Sequence, residues 1–260
     1  MTPDEHAISA PNQWSGKGTV MHAIGQQVVV TGGTSGIGYD AARRLAESGA
    51  EVVITGQDPE RLCAAAESIG AYPIRLALND PGSVDHFFRE MGSKQVDIFL
   101  ANAGAPELNA EDQALQTAGA VDVIGRAAAL VAPGGLLAVT NTLFTQFPRE
   151  QVPEEFKAYV DGKRRLAEFI GSVAIAYPAI RVLDIALGFV DGTRGLARIK
   201  TPDEVAAYTN YMASITPGGK LTTSDEAAGF ICGLVNREAT GVRIGIDGSV
   251  ISLTEIEQAG

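Results

Sequence analysis

The chain has 260 residues, 45% of them hydrophobic and 20% charged, enough to bury a sizeable core in one domain. A formal net charge of −11 argues against nucleic acid or an anionic membrane as partner. Cys63 and Cys232 are isolated in apolar helical patterns, which reads as two buried free thiols in a reducing cytoplasm rather than a metal or disulfide framework.

Residues 1–24 are broken up by Pro3, Pro11, Gly16 and Gly18 and read as an N-terminal extension with neither an apolar signal core nor a membrane span. Residues 25–260 read as one α/β domain. The β-branched run Val28-Val29-Val30 predicts a strand, and the turn Thr31-Gly32-Gly33-Thr34-Ser35-Gly36-Ile37-Gly38 leads into a helical pattern with Ala41, Leu45 and Ala46 in step. Strand, glycine turn and helix start form the setting in which backbone N–H groups and a helix dipole bind a nucleotide's phosphates. Glu51–Thr55 and Pro73–Leu78 predict further strands, with a helix between them over Pro59–Ile69. A helix over Ser83–Met91, capped by Asp80 or Ser83, precedes the strand Val96–Leu100. A long helix covers Glu111–Val131, then a strand Leu136–Thr140, a helix Pro153–Ala176 and a strand Arg181–Ala186. Helices over Pro202–Ser214 and Ser224–Val235 and a last strand Val242–Asp247 close the series. Helices between strands require parallel pairing, so the expectation is a doubly wound parallel sheet with its ligand at the carboxyl ends of the strands.

Tyr159 and Lys163 are four residues apart, hence on one helix face. A phenol titrates near pH 10, and a neighbouring ammonium favours its phenolate, which moves it toward a working acid/base. Among the tyrosines of this chain, only Tyr159 has a lysine four residues on.

These motifs together resemble the short-chain dehydrogenase/reductase family: the glycine turn, Asn102-Ala103-Gly104 with Ala101 before it, Tyr159-x-x-x-Lys163, and the closing Gly241–Gly248 stretch. The resemblance implies a Rossmann-fold oxidoreductase that moves hydride between a nicotinamide and a carbonyl or alcohol. It makes Tyr159 the acid/base and Lys163 its modifier and ribose anchor. Gly32, Thr34, Ser35, Gly36, Ile37, Gly38, Gln57, Asn102, Ala103 and Gly104 then bind the cofactor. It aligns Thr142 with the family's serine, with Thr145 and Asn141 as alternatives, and puts Asp122 nearest the helix asparagine that supports a proton-relay water. The family's Pro-Gly element reads Leu187-Gly188 here, and its threonine is displaced to Thr193. At the second strand's end, Gly56 and the neutral Gln57 favour NADP over NAD by leaving room for a 2′-phosphate, with Asp58 close by. Residues 191–221 read as a substrate lid, with Tyr208, Tyr211 and Met212 on one helix face and Phe144, Phe147 and Phe189 as further pocket walls. A small, largely apolar substrate is expected, with no metal. Alternatives are a same-fold epimerase or dehydratase, or a regulatory protein with a vestigial site. Small apolar residues around the long helix, among them Ala118 and Ala129, point to a homodimer or homotetramer.

Overall fold

The computed structural model describes residues 23–216, 219–235, 242–247 and 250–255, the last two groups by backbone alone. Residues 1–22 of the expected N-terminal extension, together with Gly241 and Gly248 of the closing motif, lie outside them.

Val28, Val29 and Val30 form the centre of the sheet because β-branched chains fit a pleat buried on both faces. Their strand, β1 (Gln27–Val30), pairs in parallel with β2 (Glu51–Gly56) on one side and β4 (Val96–Ala101) on the other. Beyond β2 lies β3 (Tyr72–Arg75), and beyond β4 come β5 (Val131–Thr142), β6 (Arg181–Leu187) and β9 (Val242–Asp247), all parallel. The edge strand β10 (Val250–Glu255) runs antiparallel to β9. The order is β10-β9-β6-β5-β4-β1-β2-β3, so the winding reverses between β1 and β4, and a crevice opens at their carboxyl ends.

Alternate residues of each strand feed two separate cores. Val28, Val30, Ile98 and Leu100 pack with α1 (Gly36–Glu47), α2 (Pro59–Ile69) and α7 (Ser224–Val235). Val29, Phe99, Leu137 and Val139 pack with α3 (Pro81–Met91), α4 (Ala110–Leu130) and α5 (Lys157–Ala176). Each fully buried apolar side chain contributes roughly 1.5–3 kcal/mol to this three-layer arrangement.

Several expectations shift in detail. The third strand stops at Arg75 rather than Leu78, because Leu76 and Ala77 turn inward toward α3 and the Ala77 N–H bonds Ser83 Oγ. Asp80, not Ser83, caps α3, accepting from the Ser83 N–H. The helix expected from Pro153 starts at Lys157, after two short 3₁₀ turns that begin behind the extended residues Pro148 and Pro153. β10 was absent from the expected series. Cys63 is exposed rather than buried, while Cys232 packs between α1 and α7 with its thiol pushed up to about 12 by burial.

The segment over which a lid was expected, residues 191–221, is an ordered excursion from the sheet. Two-residue strands β7 (Val190–Asp191) and β8 (Thr222–Thr223) pair in parallel and clip its two ends together. Between them lies α6 (Pro202–Ile215), started by a full capping box in which Thr201 and Glu204 exchange bonds.

Candidate active site

The glycine turn sits at the crevice. The Gly33 N–H donates to Thr55 O at 2.9 Å, and the Gly32 N–H to Thr55 Oγ1 at 3.3 Å, tying the turn to the end of β2. A Cβ on Gly38 would stand 2.3 Å from Gly32 O, so glycine is required for α1 to start this close behind the turn. Ser35 precedes α1 without a side-chain cap bond, which leaves the first N–H groups of the helix facing the cleft. Asn102 locks the turn to β4: its N–H donates to Thr31 Oγ1 at 2.9 Å, and its amide to Thr31 O at 3.3 Å. The result is a cradle of main-chain donors without side-chain bulk, which fits the diphosphate of a dinucleotide.

A cleft of about 520 Å³ runs from this cradle across the ends of the strands. It is lined by Gly32, Thr34, Ser35, Gly36, Ile37 and Gln57 at one end and by Thr142, Tyr159 and Lys163 at the other, with Asn102, Ala103 and Gly104 between. Gly38 supports the turn from behind and is not itself a wall. At the first end the side of Gly56 is occupied, because a Cβ there would lie 2.5 Å from Thr34 Cγ2. The space expected at Gly56 is therefore shared with Thr34. The Asp58 carboxylate is engaged: it caps α2 by accepting from the Arg61 N–H at 3.0 Å and pairs with Arg61 Nε at 3.0 Å.

At the other end, Lys163 is buried on α5 and its Nζ donates to Thr140 O at 3.0 Å. Nζ lies 5.7 Å from the centre of the Tyr159 ring. Desolvation dominates both groups. It pulls the lysine down to about 8, against the attraction of the buried Asp184. It pushes the phenol up to about 12, although Tyr159 as a whole residue keeps some exposed surface. The sequence led to the expectation of a phenol lowered by the ammonium; burial raises it instead.

Three candidates competed for the serine position, and their bonds separate them. The Asn141 amide is used on both sides, donating to Lys163 O at 3.2 Å and accepting from the Thr142 N–H at 2.9 Å. Thr145 donates to Thr142 O at 2.8 Å and does not line the cleft. Thr142 accepts from the Phe144 N–H at 3.4 Å, and its own hydroxyl proton has no acceptor among the described residues. Asp122 is exposed and pairs with Arg126 at 3.5 Å, away from the cleft. Gln116, one and a half turns earlier on α4, lines the cleft instead. Its Oε1 accepts from the Ala105 N–H at 3.0 Å, and its Nε2 donates to Glu107.

Residues 193–198 of the segment between β7 and β8 line the cleft, and ion pairs tie the segment to both walls. Arg198 Nη2 reaches both carboxylate oxygens of Glu107 at 2.7 Å, and Lys200 pairs with Glu155 at 3.0 Å. Thr193 passes over Gly36. Phe144, Phe156, Phe189 and Tyr208 form apolar walls, with the Tyr208 ring centre 5.6 Å from that of Phe156 and 5.5 Å from that of Phe189. The expected wall residue Phe147 is exposed, and so is Tyr211 of the helix-face stripe. Met212 does not line the cleft either. Gln116, Glu107, Arg194 and Arg198 were missed; the polar triplet Gln113, Gln116, Thr117 at helical spacing was the one available signal.

A sequence profile of the family described as short chain dehydrogenase matches residues 26–143. The cis-4-hydroxycyclohexanecarboxylate dehydrogenase of Sinomonas cyclohexanicum is 30% identical over 247 residues, covering 85% of this chain and 94% of its own. The chain belongs to the short-chain dehydrogenase/reductase family. A crystal structure of a short chain dehydrogenase from Burkholderia cenocepacia in complex with NADP matches with a TM-score of 0.69 and 25% identity, over 87% of this chain and 98% of that one. Another solved member, a short chain dehydrogenase/reductase family protein, gives 0.73 and 28%, over 88% and 98% of the two chains. Against three further oxidoreductases the match is local, and the chain spans 36%, 30% and 30% of their lengths.

Proposed function

We propose that this short-chain dehydrogenase/reductase uses NADP, in preference to NAD, to reduce or form a carbonyl group on a small, largely apolar substrate. The observation that carries the reading is the meeting of Tyr159, Lys163 and Thr142 in one cleft with the phosphate cradle of the glycine turn. The nicotinamide, when bound, supplies or accepts the hydride.

The chain's own part is positional and protonic. Tyr159, kept protonated by burial, donates its phenolic proton to the carbonyl oxygen as negative charge develops there. Thr142 directs its unengaged hydroxyl proton at the same oxygen and fixes the carbonyl's orientation. Lys163 places a cation beside the phenol and offers its remaining protons to the nicotinamide ribose. Ser35, Gly36 and Ile37 take the diphosphate on the start of α1, Thr34 and Gln57 flank the adenosine, and Asn102, Ala103 and Gly104 form the floor between the two ends. Phe144, Phe156, Phe189 and Tyr208 exclude water from the reacting end.

Support for NADP comes from the NADP-bound Burkholderia relative and from an Asp58 that is already engaged. The name of the Sinomonas relative makes alicyclic alcohols and ketones the first compounds to assay. The reading includes a cytoplasmic homodimer or homotetramer, supported by the exposed small and apolar surface of α4 at Ala114, Leu115, Ala118 and Ala129.

Loss of nicotinamide absorbance with a panel of cyclic and acyclic ketones tests the reading. The parent enzyme is expected to turn over an alicyclic ketone with NADPH. Tyr159→Phe should lose about 10²-fold in turnover while retaining cofactor affinity. Near-normal turnover by the Phe variant would refute the role given to the phenol.

A further inference from the structure

Thr142 ends β5 and Tyr159 lies in the first turn of α5, so the two groups meant for one carbonyl oxygen are carried by different elements. Residues 143–156 join these elements through 3₁₀ turns, the first over Leu143–Gln146. That first turn is tied to Thr142 twice. The Phe144 N–H donates to Thr142 Oγ1 at 3.4 Å, and Thr145 Oγ1 donates to Thr142 O at 2.8 Å. The orientation of the Thr142 hydroxyl therefore follows the turn, as does Phe144 in the cleft wall. Arg164, the neighbour of Lys163 on α5, holds the turn in place. Its Nε donates to Thr145 O at 3.3 Å and its Nη2 to Phe147 O at 2.6 Å. Its Nη1 donates to Asp161 Oδ1 at 2.9 Å, and Asp161 Oδ2 accepts from Arg149 Nε at 2.9 Å, so the next 3₁₀ turn is gathered in as well. The Arg164 side chain is 25% exposed and lines no part of the cleft.

We propose that Arg164 is a positioning residue for the carbonyl-binding hydroxyl: it fastens the turn after β5 onto α5 and so sets Thr142 and Phe144 at a fixed distance from Tyr159. This rests on the role given to Thr142 above. A carbonyl oxygen accepts from two donors at once only where both stand within hydrogen-bond reach of one point. A misplacement of about 1 Å can cost roughly 10²-fold in rate. The guanidinium suits the task because its donors lie in one rigid plane, and here they span two carbonyls and a carboxylate together. A lysine ammonium at this position would keep the charge but gather its donors around a single point.

A double-mutant cycle on the full chain separates positioning from plain stabilisation. On a ketone that the parent reduces with NADPH, Arg164→Met should lower kcat about tenfold and leave NADPH affinity within about twofold. In the Thr142→Ala background the same change should cost less than about twofold, because the hydroxyl it positions is gone. Arg164→Lys should recover part of the lost kcat. Amide hydrogen exchange of the unliganded chain reads the brace without turnover: Arg164→Met should speed exchange at residues 143–147 and leave the sheet unchanged. Asp161→Asn weakens the anchor of Nη1 and keeps both carbonyl bonds, so it should repeat the cycle at smaller amplitude; it carries the test if Arg164→Met does not fold. Losses that multiply in the double variant would reduce Arg164 to a stabilising contact and overturn the proposal. Unchanged exchange at residues 143–147, or an undiminished kcat in Arg164→Met where Thr142→Ala is impaired, would overturn it too and leave the reading of Thr142 standing. A Thr142→Ala variant as active as the parent removes the role of Thr142 and the proposal with it.

Discussion

Lys163 Nζ donates to the carbonyl of Thr140 at 3.0 Å while standing 5.7 Å from the ring centre of Tyr159. The lysine thus spends one proton on β5 and remains buried, where desolvation holds it near 8, well below the ordinary lysine value of 10.5. The sign of the resulting pH dependence follows directly. Below about pH 8 both folded and unfolded chains carry the charge, and the cost of burying it is present in full. Between about 8 and 10.5 the folded chain has released a proton that the unfolded chain still binds, so stability rises with pH.

Denaturant midpoints of the parent and Lys163→Met, taken at pH 7.5 and 9.5, isolate that contribution. The parent should gain about 2 kcal/mol relative to the variant over this interval. Parallel curves for the two proteins would show that Lys163 is not titrating in the folded state. Tyr159 adds an opposite slope at higher pH: with its phenol near 12 when folded and 10 when unfolded, stability falls with pH between those values.

Thr142 is distinguished from Asn141 and Thr145 by its unengaged hydroxyl proton. Thr142→Ser should keep turnover within a few-fold of the parent, whereas Thr142→Ala should lower it by about 10²-fold, as loss of an oxyanion donor does. Thr145→Ala should have little effect on turnover. Equal activity of Thr142→Ala and the parent on the same ketone would return the position to a purely capping role.

The end of β2 offers a gain-of-function test. Gln57→Arg places a guanidinium at the tip of β2 and should widen the affinity gap between NADPH and NADH, read from nicotinamide fluorescence, by about tenfold. Tighter binding of NADH by the parent would contradict the assignment of NADP.

The exposed small residues of α4 predict self-association. Light scattering after size exclusion should give a mass of two or four times the 27.1 kDa chain at micromolar concentrations. A 27.1 kDa species throughout would exclude it. Ala118→Arg or Ala129→Arg should dissociate the assembly and leave a folded monomer, because a charge buried unpaired at an interface is strongly unfavourable.

The sheet and the cradle were legible in the sequence because their causes are local. Val28–Val30 and the glycine spacing from Gly32 to Gly38 dictate a buried strand and a tight helix start without reference to the rest of the chain. Tyr159 and Lys163 were legible for the same reason, being one turn apart on a single helix. What escaped reading depends on segments distant in sequence. The bond between Glu107 and Arg198 joins residues 91 positions apart, from two irregular segments that carry no periodicity. Asp122 was the nearest candidate for the family's helix asparagine, and only the rotation of α4 against the sheet turns Gln116 rather than Asp122 to the cleft. The edge strand β10 carries no helix before it, so the alternation that revealed the other strands of the sheet gave no sign of it.

The contact between Gly56 and Thr34 has a consequence for how this site can change over generations. A side chain at position 56, such as the acid that would recognise unmodified ribose, meets the Thr34 methyl before it reaches the cleft. The two positions are therefore coupled: a side chain at residue 56 requires Thr34 to turn its methyl aside or to be trimmed to serine or glycine. Changes at position 56 are thus expected to travel with changes at position 34.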